Sequence, residues 1–166
     1  MNHETGWSVF PLRVRYQETD QMGVVYHANY LTWFEIGRTE WLRSRGWTYR
    51  QIEQKGYMLP VIDVQIKFLL PARYDDAIRI YTRSMDYSNV RLDFEYKIYR
   101  IDPYLGDADR ELSDLPEEES GKQLLVTGMT KHVWVNGSWK PARIDKELPE
   151  LLRILPEGRR GGKAVE

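Results

Sequence analysis

Apolar and polar residues alternate near the amino terminus and then change to a helical spacing. In residues 9–19, Leu12, Val14 and Tyr16 alternate with polar residues, which predicts a half-exposed strand. Residues 20–23 (DQMG) end the alternation with a turn. Between residues 29 and 45 the apolar positions then fall at i, i+3, i+4, i+7 and i+11, and they are Tyr30, Trp33, Phe34, Gly37 and Trp41. This spacing predicts a helix of about 16 residues with one aromatic face.

A second helix and a series of strands are predicted after Gly46, the expected C-cap of the long helix. Residues 48–55 form a short helix in this interpretation, with Thr48 as N-cap and Gly56 as its end. Four segments rich in β-branched and aromatic residues then follow, at 61–70, 77–85, 91–101 and 123–135. Short turns between them predict an antiparallel meander with the long helix on one face, an α+β two-layer domain. A last short helix is expected near 149–155.

The length and composition indicate one domain. The chain has 166 residues, 42% of them apolar and none of them cysteine. The absence of cysteine excludes a disulfide scaffold, a cysteine nucleophile and a thiolate metal site. His3, His27 and His132 lie too far apart in the sequence to suggest a metal centre, so we expect neither metal nor cofactor. The single domain spans 1–166, with a core at about 9–140 and a C-terminal helix and tail at 141–166.

Charge is unevenly distributed along the chain. The net charge is −1, but residues 102–121 hold eight acids and one base, so the other residues carry 23 bases and 17 acids. A mildly basic body suits an anionic small ligand, and its aromatic residues do not interleave with a basic cluster, so no nucleic-acid partner is expected. The acidic insert at 102–121 is interpreted as a surface loop, with a partner-binding insert as the alternative.

Targeting signals are not apparent in the sequence. The amino terminus has no basic region followed by an apolar stretch, and no apolar run reaches the roughly 18–20 residues of a membrane helix. We therefore expect a cytoplasmic protein with no membrane span.

Candidate chemistry is concentrated where the first strand leads into the long helix. Asp20 follows the strand, and the helix region begins about seven residues later, near His27. A helix amino terminus offers free backbone N–H groups that polarise a carbonyl. An opposing carboxylate can attack that carbonyl or deprotonate a water. This pair suffices for acyl transfer from a thioester, although Asp20 alone is also typical of an ordinary turn.

The same segment carries a specific motif. Residues 19–30 read TDxxGVVYHANY, preceded by RVRY and followed by ExxRTE. Further pieces are GYxLPV at 56–61 and PARYDD at 71–76. Over residues 9–140 the chain resembles hotdog-fold acyl-CoA thioesterases of the 4-hydroxybenzoyl-CoA thioesterase type, in the branch associated with the Tol-Pal system. The resemblance implies a hotdog fold, in which a curved antiparallel sheet wraps a long central helix.

The resemblance also implies roles for individual residues. Asp20 matches the catalytic carboxylate, and the backbone N–H of His27 matches the donor to the thioester carbonyl. The His27 side chain also matches the one found in the Tol-Pal-associated branch, where other members have an aromatic residue, and the alternative is an ordinary histidine near a helix start. Tyr26, Pro60 and Val61 match substrate-binding positions, beside Asp20 or across a dimer seam. One helix cannot cover both faces of a long curved sheet, and an exposed edge strand invites pairing with a second copy, so we expect a homodimer or a dimer-of-dimers homotetramer. The family likeness then places the active site at the seam between copies.

Two helix carboxylates offer an alternative to Asp20, because some hotdog enzymes use a helix glutamate. Glu35 and Glu40 stand three residues before Arg38 and Arg43, so we interpret them as ordinary helix acids in ion pairs.

These residues can be interpreted in terms of three functions. The first is an acyl-CoA thioesterase acting on a fatty or aromatic acyl group. The second is a non-catalytic hotdog protein that binds an acyl carrier or a protein partner. The third is a hotdog hydratase, whose Asp and His motif this sequence lacks. The presence of Asp20 favours the thioesterase, because a protein that only binds has no need of a carboxylate facing the acyl group.

Overall fold

The computed structural model describes residues 6–101 and 121–155. The expectations for most of the acidic insert and for the tail beyond residue 155 lie outside these residues. The helices are α1 (Asn29–Arg43), α2 (Tyr49–Gln54), α3 (Ile144–Glu147) and α4 (Pro149–Leu152). The strands are β1 (Ser8–Arg13), β2 (Tyr57–Met58), β3 (Val61–Phe68), β4 (Ala77–Tyr87), β5 (Arg91–Ile101), β6 (Lys122–Val133) and β7 (Val135–Asn136). None of the helices in the described residues is long and apolar enough to cross a membrane.

Five strands form one antiparallel sheet in the order β1-β4-β5-β6-β3. The predicted meander is therefore wrong at its first strand: β3 pairs with β6, from Val61 opposite His132 to Phe68 opposite Val126, and not with β4. The reason is the connection of residues 69–76, which is too long for a tight hairpin turn and carries the chain from the edge strand β3 past β6 and β5 to β4. The small β2–β7 ribbon was not expected.

The first strand is shorter than the alternation of residues predicts. It ends at Arg13, and residues Tyr16–Glu18 form a single 3-10 turn. The cause is local, because the Glu18 carboxylate accepts a hydrogen bond from the Arg15 backbone N–H at 2.7 Å and so bends the chain back on itself. Tyr16 is consequently 78% exposed instead of facing the core.

Helix α1 lies across one face of the sheet as predicted. The five residues of its predicted apolar face are all buried, and Gly46 ends the helical segment with a φ of +83°. Gly37 lets the helix approach β4, because a Cβ there would overlap the Thr82 hydroxyl and approach the Ile80 side chain to 3.0 Å. Phe34 stacks on Tyr96 of β5 with ring centroids 4.2 Å apart. The α+β two-layer architecture is confirmed.

The remaining helices follow local signals. Thr48 caps α2 with its side chain, which accepts from the Gln51 N–H at 3.2 Å, and Gly56 follows at a φ of +86°. The last helix was expected as one segment near 149–155. The structure has a single helical turn there, α4, which starts at Pro149 and ends at Leu152, and a further turn just before it, α3, that was not expected.

Candidate active site

Asp20 sits in a tight loop between the 3-10 turn and α1. Thr19 and Val25 form an isolated antiparallel bridge, and the Asp20 N–H donates to the Val24 carbonyl at 2.9 Å. The Asp20 Oδ1 accepts from the Met22 N–H at 2.9 Å, which fixes the carboxyl group on the loop. Among the described residues no hydrogen bond reaches Oδ2. One carboxyl oxygen thus holds the loop and the other is available for chemistry.

The start of α1 is adjacent to this loop. The Tyr26 N–H donates to the Glu18 carbonyl at 2.9 Å, and the Asn29 side chain donates to the same oxygen at 2.7 Å. These two bonds bring the helix start beside the segment that carries Asp20. Within the described part of the chain, the backbone N–H groups of His27 and Ala28 donate to no acceptor. Such N–H groups, with the positive end of the helix dipole behind them, can stabilise an oxyanion.

The side chains of Tyr26 and His27 are both exposed at the loop. Their rings lie 4.4 Å apart with a tilt of 56°, so they form one aromatic surface beside Asp20. The His27 side chain has no hydrogen bond among the described residues.

Glu18 lies beneath the loop and is only 3% exposed. Its carboxylate accepts from the Arg15 guanidinium and from the indole N–H of Trp33 in α1, both at 2.9 Å. Burial raises the pKa of Glu18, but the hydrogen bonds from Arg15 and Trp33 outweigh this effect and hold the pKa below its ordinary value. The group is therefore a buried anion that ties the loop to the helix. Sequence reasoning missed it, because its partner Trp33 reads only as a core residue.

The PARYDD segment supports the site from the other side. The Val25 N–H donates to the Ala72 carbonyl at 2.8 Å, and the Ala72 N–H donates to the Tyr30 hydroxyl at 3.0 Å. The Asp76 carboxylate closes this segment on itself by accepting from the Arg73 N–H at 2.8 Å, and it also accepts from Arg100 Nε at 2.8 Å. The motif thus acts as a brace for the residues that flank Asp20.

Pro60 and Val61 lie in a different part of the protomer. Pro60 lines a groove of about 450 Å³ between α1, α2 and the segment before β3. The groove is lined by Glu35, Arg38 and Thr39 of α1, Tyr49 and Glu53 of α2, residues 58–60, and Trp139. Val61 opens the edge strand β3 and is 44% exposed. No contact joins either residue to Asp20 within one chain among the described residues.

A buried polar chain supports the groove wall at Leu59. The Tyr96 hydroxyl bonds Thr130 Oγ1 at 2.9 Å, Thr130 Oγ1 bonds His132 Nε2 at 2.7 Å, and His132 Nδ1 lies 3.4 Å from the Leu59 carbonyl. Burial, helped by the charge of Arg38, lowers the pKa of His132 to about 4. The imidazole is therefore neutral and serves as a structural link.

The helix carboxylates behave differently from each other. Glu40 pairs with Arg43, as the spacing predicts. The predicted pair of Glu35 with Arg38 is wrong, because Arg38 Nη1 donates to the Tyr49 hydroxyl at 2.8 Å and to the Leu59 carbonyl at 3.4 Å instead. The Arg38 guanidinium also lies over the Tyr49 ring at 4.8 Å, and burial raises the pKa of Tyr49 to about 12. The arginine braces the groove and leaves the Glu35 carboxylate facing it.

The described residues contain no group of three acidic or histidine side chains that could hold a metal ion. The chemistry that the geometry offers is a carboxylate with one oxygen available next to two unpaired N–H groups. This arrangement suits an acyl transfer in which the carbonyl oxygen is polarised by the N–H groups. In the sequence, only the spacing between Asp20 and His27 indicates this arrangement.

Comparison with known proteins agrees with this geometry. Residues 14–152 match the family model described as the thioesterase-like superfamily. YneP of Bacillus subtilis, named for an acyl-CoA thioesterase activity, is 33% identical over 140 residues, which cover 84% of this chain and 88% of that protein.

Solved structures give the same result. A DHNA-CoA thioesterase from Staphylococcus aureus superposes with a TM-score of 0.75 at 29% identity, covering 89% of this chain and 87% of that one. The 4-hydroxybenzoyl-CoA thioesterase of Pseudomonas sp. strain CBS-3 has the same fold, with a TM-score of 0.71 at 18% identity and coverage of 89% and 98%. The chain therefore belongs to the thioesterase-like superfamily and is a hotdog-fold thioesterase.

Proposed function

We propose that this thioesterase hydrolyses an acyl-CoA to the free acid and CoA at a site built on Asp20 and the start of α1. The observation that carries the proposal is the loop geometry. Asp20 Oδ1 is held by the Met22 N–H, while the His27 and Ala28 N–H groups beside it have no acceptor among the described residues. A thioester carbonyl oxygen bound at these N–H groups would present its carbon to the carboxylate or to a water next to it.

Two routes satisfy the chemistry. In the first, Asp20 takes a proton from water, the hydroxide adds to the carbonyl carbon, and the C–S bond breaks to release CoA as a thiolate that is then protonated. In the second, an Asp20 oxygen adds to the carbonyl, the same C–S bond breaks, and water hydrolyses the resulting anhydride. In both routes the oxyanion forms at the His27 N–H, whose dipole is already oriented before the reaction.

Replacing Asp20 by Asn tests the assignment. The amide is nearly isosteric but can neither attack nor accept the proton, so we expect Asp20→Asn to lower kcat by at least about 100-fold, as is typical of losing a general base. Thiol release from a panel of acyl-CoAs, with circular dichroism as a check of folding, measures this. The matched control is Asp145→Asn, which removes a half-buried carboxylate that pairs with Arg143 near the C-terminal helices, and it should leave the rate unchanged. A folded Asp20→Asn protein with near wild-type rates would disprove the role of Asp20.

The two routes can be separated with the same protein. In a single turnover with excess enzyme in oxygen-labelled water, the general-base route places label only in the product acid, whereas an anhydride opened at its aspartyl carbon places label in the Asp20 carboxyl group. An anhydride opened at its acyl carbon labels only the acid, so it is detected instead by trapping the acyl-enzyme with hydroxylamine. Failure of the wild-type protein to release thiol from any acyl-CoA would favour the alternative of a binding protein for an acyl carrier.

We also propose that the active protein is at least a homodimer, formed through β3. This edge strand and the residues after it expose an unusual set of apolar side chains, each between 39% and 51% exposed, namely Val61, Ile62, Val64, Phe68, Leu69 and Leu70. An edge strand has unpaired backbone groups that can pair with another chain, and a contiguous exposed apolar patch marks an interaction site. A second copy placed there satisfies both the backbone and the side chains.

The dimer would also account for Pro60 and Val61. They adjoin the exposed edge and not the Asp20 loop of their own chain, so a substrate-binding role for them requires the seam between two copies. A homotetramer and a cytoplasmic location, both expected from the sequence, stay predictions.

A further inference from the structure

Trp139 occupies a backbone position that disfavours it. Its φ is +58°, in the left-handed region where glycine is cheapest and a bulky side chain is strained. The turn that contains it is held without the indole: Asn136 Oδ1 accepts from the Ser138 and Lys140 N–H groups at 3.0 and 3.1 Å, and the Trp139 N–H donates to the Asn136 carbonyl at 2.9 Å. The side chain is therefore not needed to form the turn.

Core packing does not explain the residue either. The Trp139 side chain is 67% exposed, which is high for the largest apolar side chain in proteins. A strained position that carries an exposed aromatic ring is typical of a binding surface, where the side chain is retained for its contacts with a ligand.

The ring borders the groove that also contains Pro60. Around this groove the flat or polarisable surfaces are those of Tyr49, Met58 and Pro60, and Tyr49 is held rigidly by Arg38. Aromatic rings favour stacked or edge contacts with other rings, and a thioether also packs well against them. The volume of about 450 Å³ is within the range of small-molecule sites. This lining suits a planar ring better than a straight alkyl chain.

We propose that Trp139 is a specificity-determining residue that packs against a ring in the acyl group of the substrate. The inference rests on the proposed function, since it assigns the acyl end of the acyl-CoA to this groove. Glu35 stands eight residues after His27, or about 12 Å along the helix axis. If the thioester carbonyl is bound at the Asp20 loop of the same chain, the acyl ring reaches the groove only on a linker of several bonds. If the partner copy supplies the Asp20 loop, a ring attached directly to the carbonyl reaches the groove.

The test compares three CoA esters in the full-length protein. Benzoyl-CoA carries the ring on the carbonyl, 4-phenylbutanoyl-CoA carries it on a linker, and hexanoyl-CoA has no ring. We expect Trp139→Ala to lower kcat/KM at least about tenfold for one or both ring-bearing esters, mainly through a higher KM, and to change hexanoyl-CoA less than twofold. Trp139→Phe should restore most of the loss, because a ring is present again.

Trp139→Gly separates recognition from structure. Because glycine relieves the positive φ, this variant should unfold at the same or a higher temperature than the wild type, yet it should lose the ring preference as the alanine variant does. A lower melting temperature with equal losses for all three esters would mean that the indole is structural and would overturn the proposal. Unchanged kcat/KM for both ring-bearing esters would overturn it as well.

Failure of the proposed function would look different. In that case the wild-type protein hydrolyses none of the three esters, and the binding of benzoyl-CoA and 4-phenylbutanoyl-CoA is measured by calorimetry. Weaker binding of either ester by Trp139→Ala would still support the role of the indole, and unchanged affinity for both would refute it.

Discussion

Glu18 shows how one buried residue can organise a site without taking part in its chemistry. Its carboxylate receives donors from Arg15 and from Trp33, and its carbonyl receives the Tyr26 N–H and the Asn29 side chain. Hydrogen bonds to a charged group are worth roughly 1.5–3 kcal/mol each before burial is counted against them. These bonds tie the loop with Asp20 to the start of α1, which fixes the carboxylate relative to the N–H groups that the proposed reaction uses.

His132 makes the stability of the protein dependent on pH. The folded state keeps the imidazole neutral down to about pH 4, whereas an unfolded chain protonates near pH 6.5. Between these values the unfolded state binds the additional proton, so the free energy of unfolding falls as the pH falls. We expect a loss of about 3 kcal/mol from this residue across the window, measured by urea denaturation at several pH values.

The control for this prediction is a second histidine. His27 is exposed, so His27→Asn should keep the wild-type slope of stability against pH, whereas His132→Asn should flatten it between pH 6.5 and 4. The His132 variant will be less stable at neutral pH because the Thr130 and Leu59 contacts change, but the slope is the relevant quantity. An unchanged slope in His132→Asn would contradict the assignment.

The position of α1 on the sheet depends on small residues at the contact. At Gly37 a Cβ would overlap the Thr82 hydroxyl of β4, and at Gly128 of β6 it would overlap the Phe34 ring. At these two points a neighbouring side chain approaches the glycine backbone more closely than a residue with a Cβ would permit. The aromatic face predicted from the sequence therefore needs glycines on both elements to reach its packed distance.

Gly37→Ala tests this contact. Alanine improves helix propensity by up to about 1 kcal/mol, but overpacking against Thr82 and Ile80 costs about 1–3 kcal/mol or more. Thr82 is buried and β-branched, so its χ1 angle is restricted and its hydroxyl has little room to move away. We therefore expect net destabilisation by about 2 kcal/mol, or a fall in Tm of about 4–8 °C for a chain of this size. Differential scanning calorimetry measures it. Thr32→Ala, at an exposed position of the same helix, should stay within about 0.5 kcal/mol of the wild type.

Assembly is a property of the whole molecule, and the proposed site at a seam depends on it. The exposed apolar set on β3 predicts that the protein is dimeric or larger at micromolar concentration. A lysine in place of Val64 puts a charge into this edge, so we expect Val64→Lys to shift the protein toward monomer and to lower activity in parallel. Size-exclusion chromatography with light scattering, alongside thiol release, measures both.

A charge-matched variant isolates the effect of the edge. Gln54→Lys adds the same charge at an exposed position of α2 and should change neither mass nor activity. If the wild-type protein is monomeric and fully active, the dimer through β3 and a role for Pro60 across a seam are both wrong.

The sequence by itself predicted the features that depend on interactions between residues close together in the chain. The aromatic face of α1, the cap at Thr48, the ends at Gly46 and Gly56 and the turn at Asp20 all involve residues within about one or two helical turns of one another. The motif around Asp20 lies within one short segment, and its resemblance to the thioesterase family is confirmed by the family match.

Tertiary structure alone decided the features that join distant segments. Nothing in residues 61–70 indicates that β3 pairs with β6, since strand propensity is the same beside either neighbour and the choice depends on the course of the 69–76 connection. The ion pair expected for Arg38 gave way to Tyr49 and Leu59, which reach it from other elements. Glu18 acquires its role through Trp33, and Trp139 reaches the groove through a turn more than 70 residues from Pro60. Spacing along the chain determines which elements neighbouring residues form, whereas burial and contacts across the fold determine which distant groups meet.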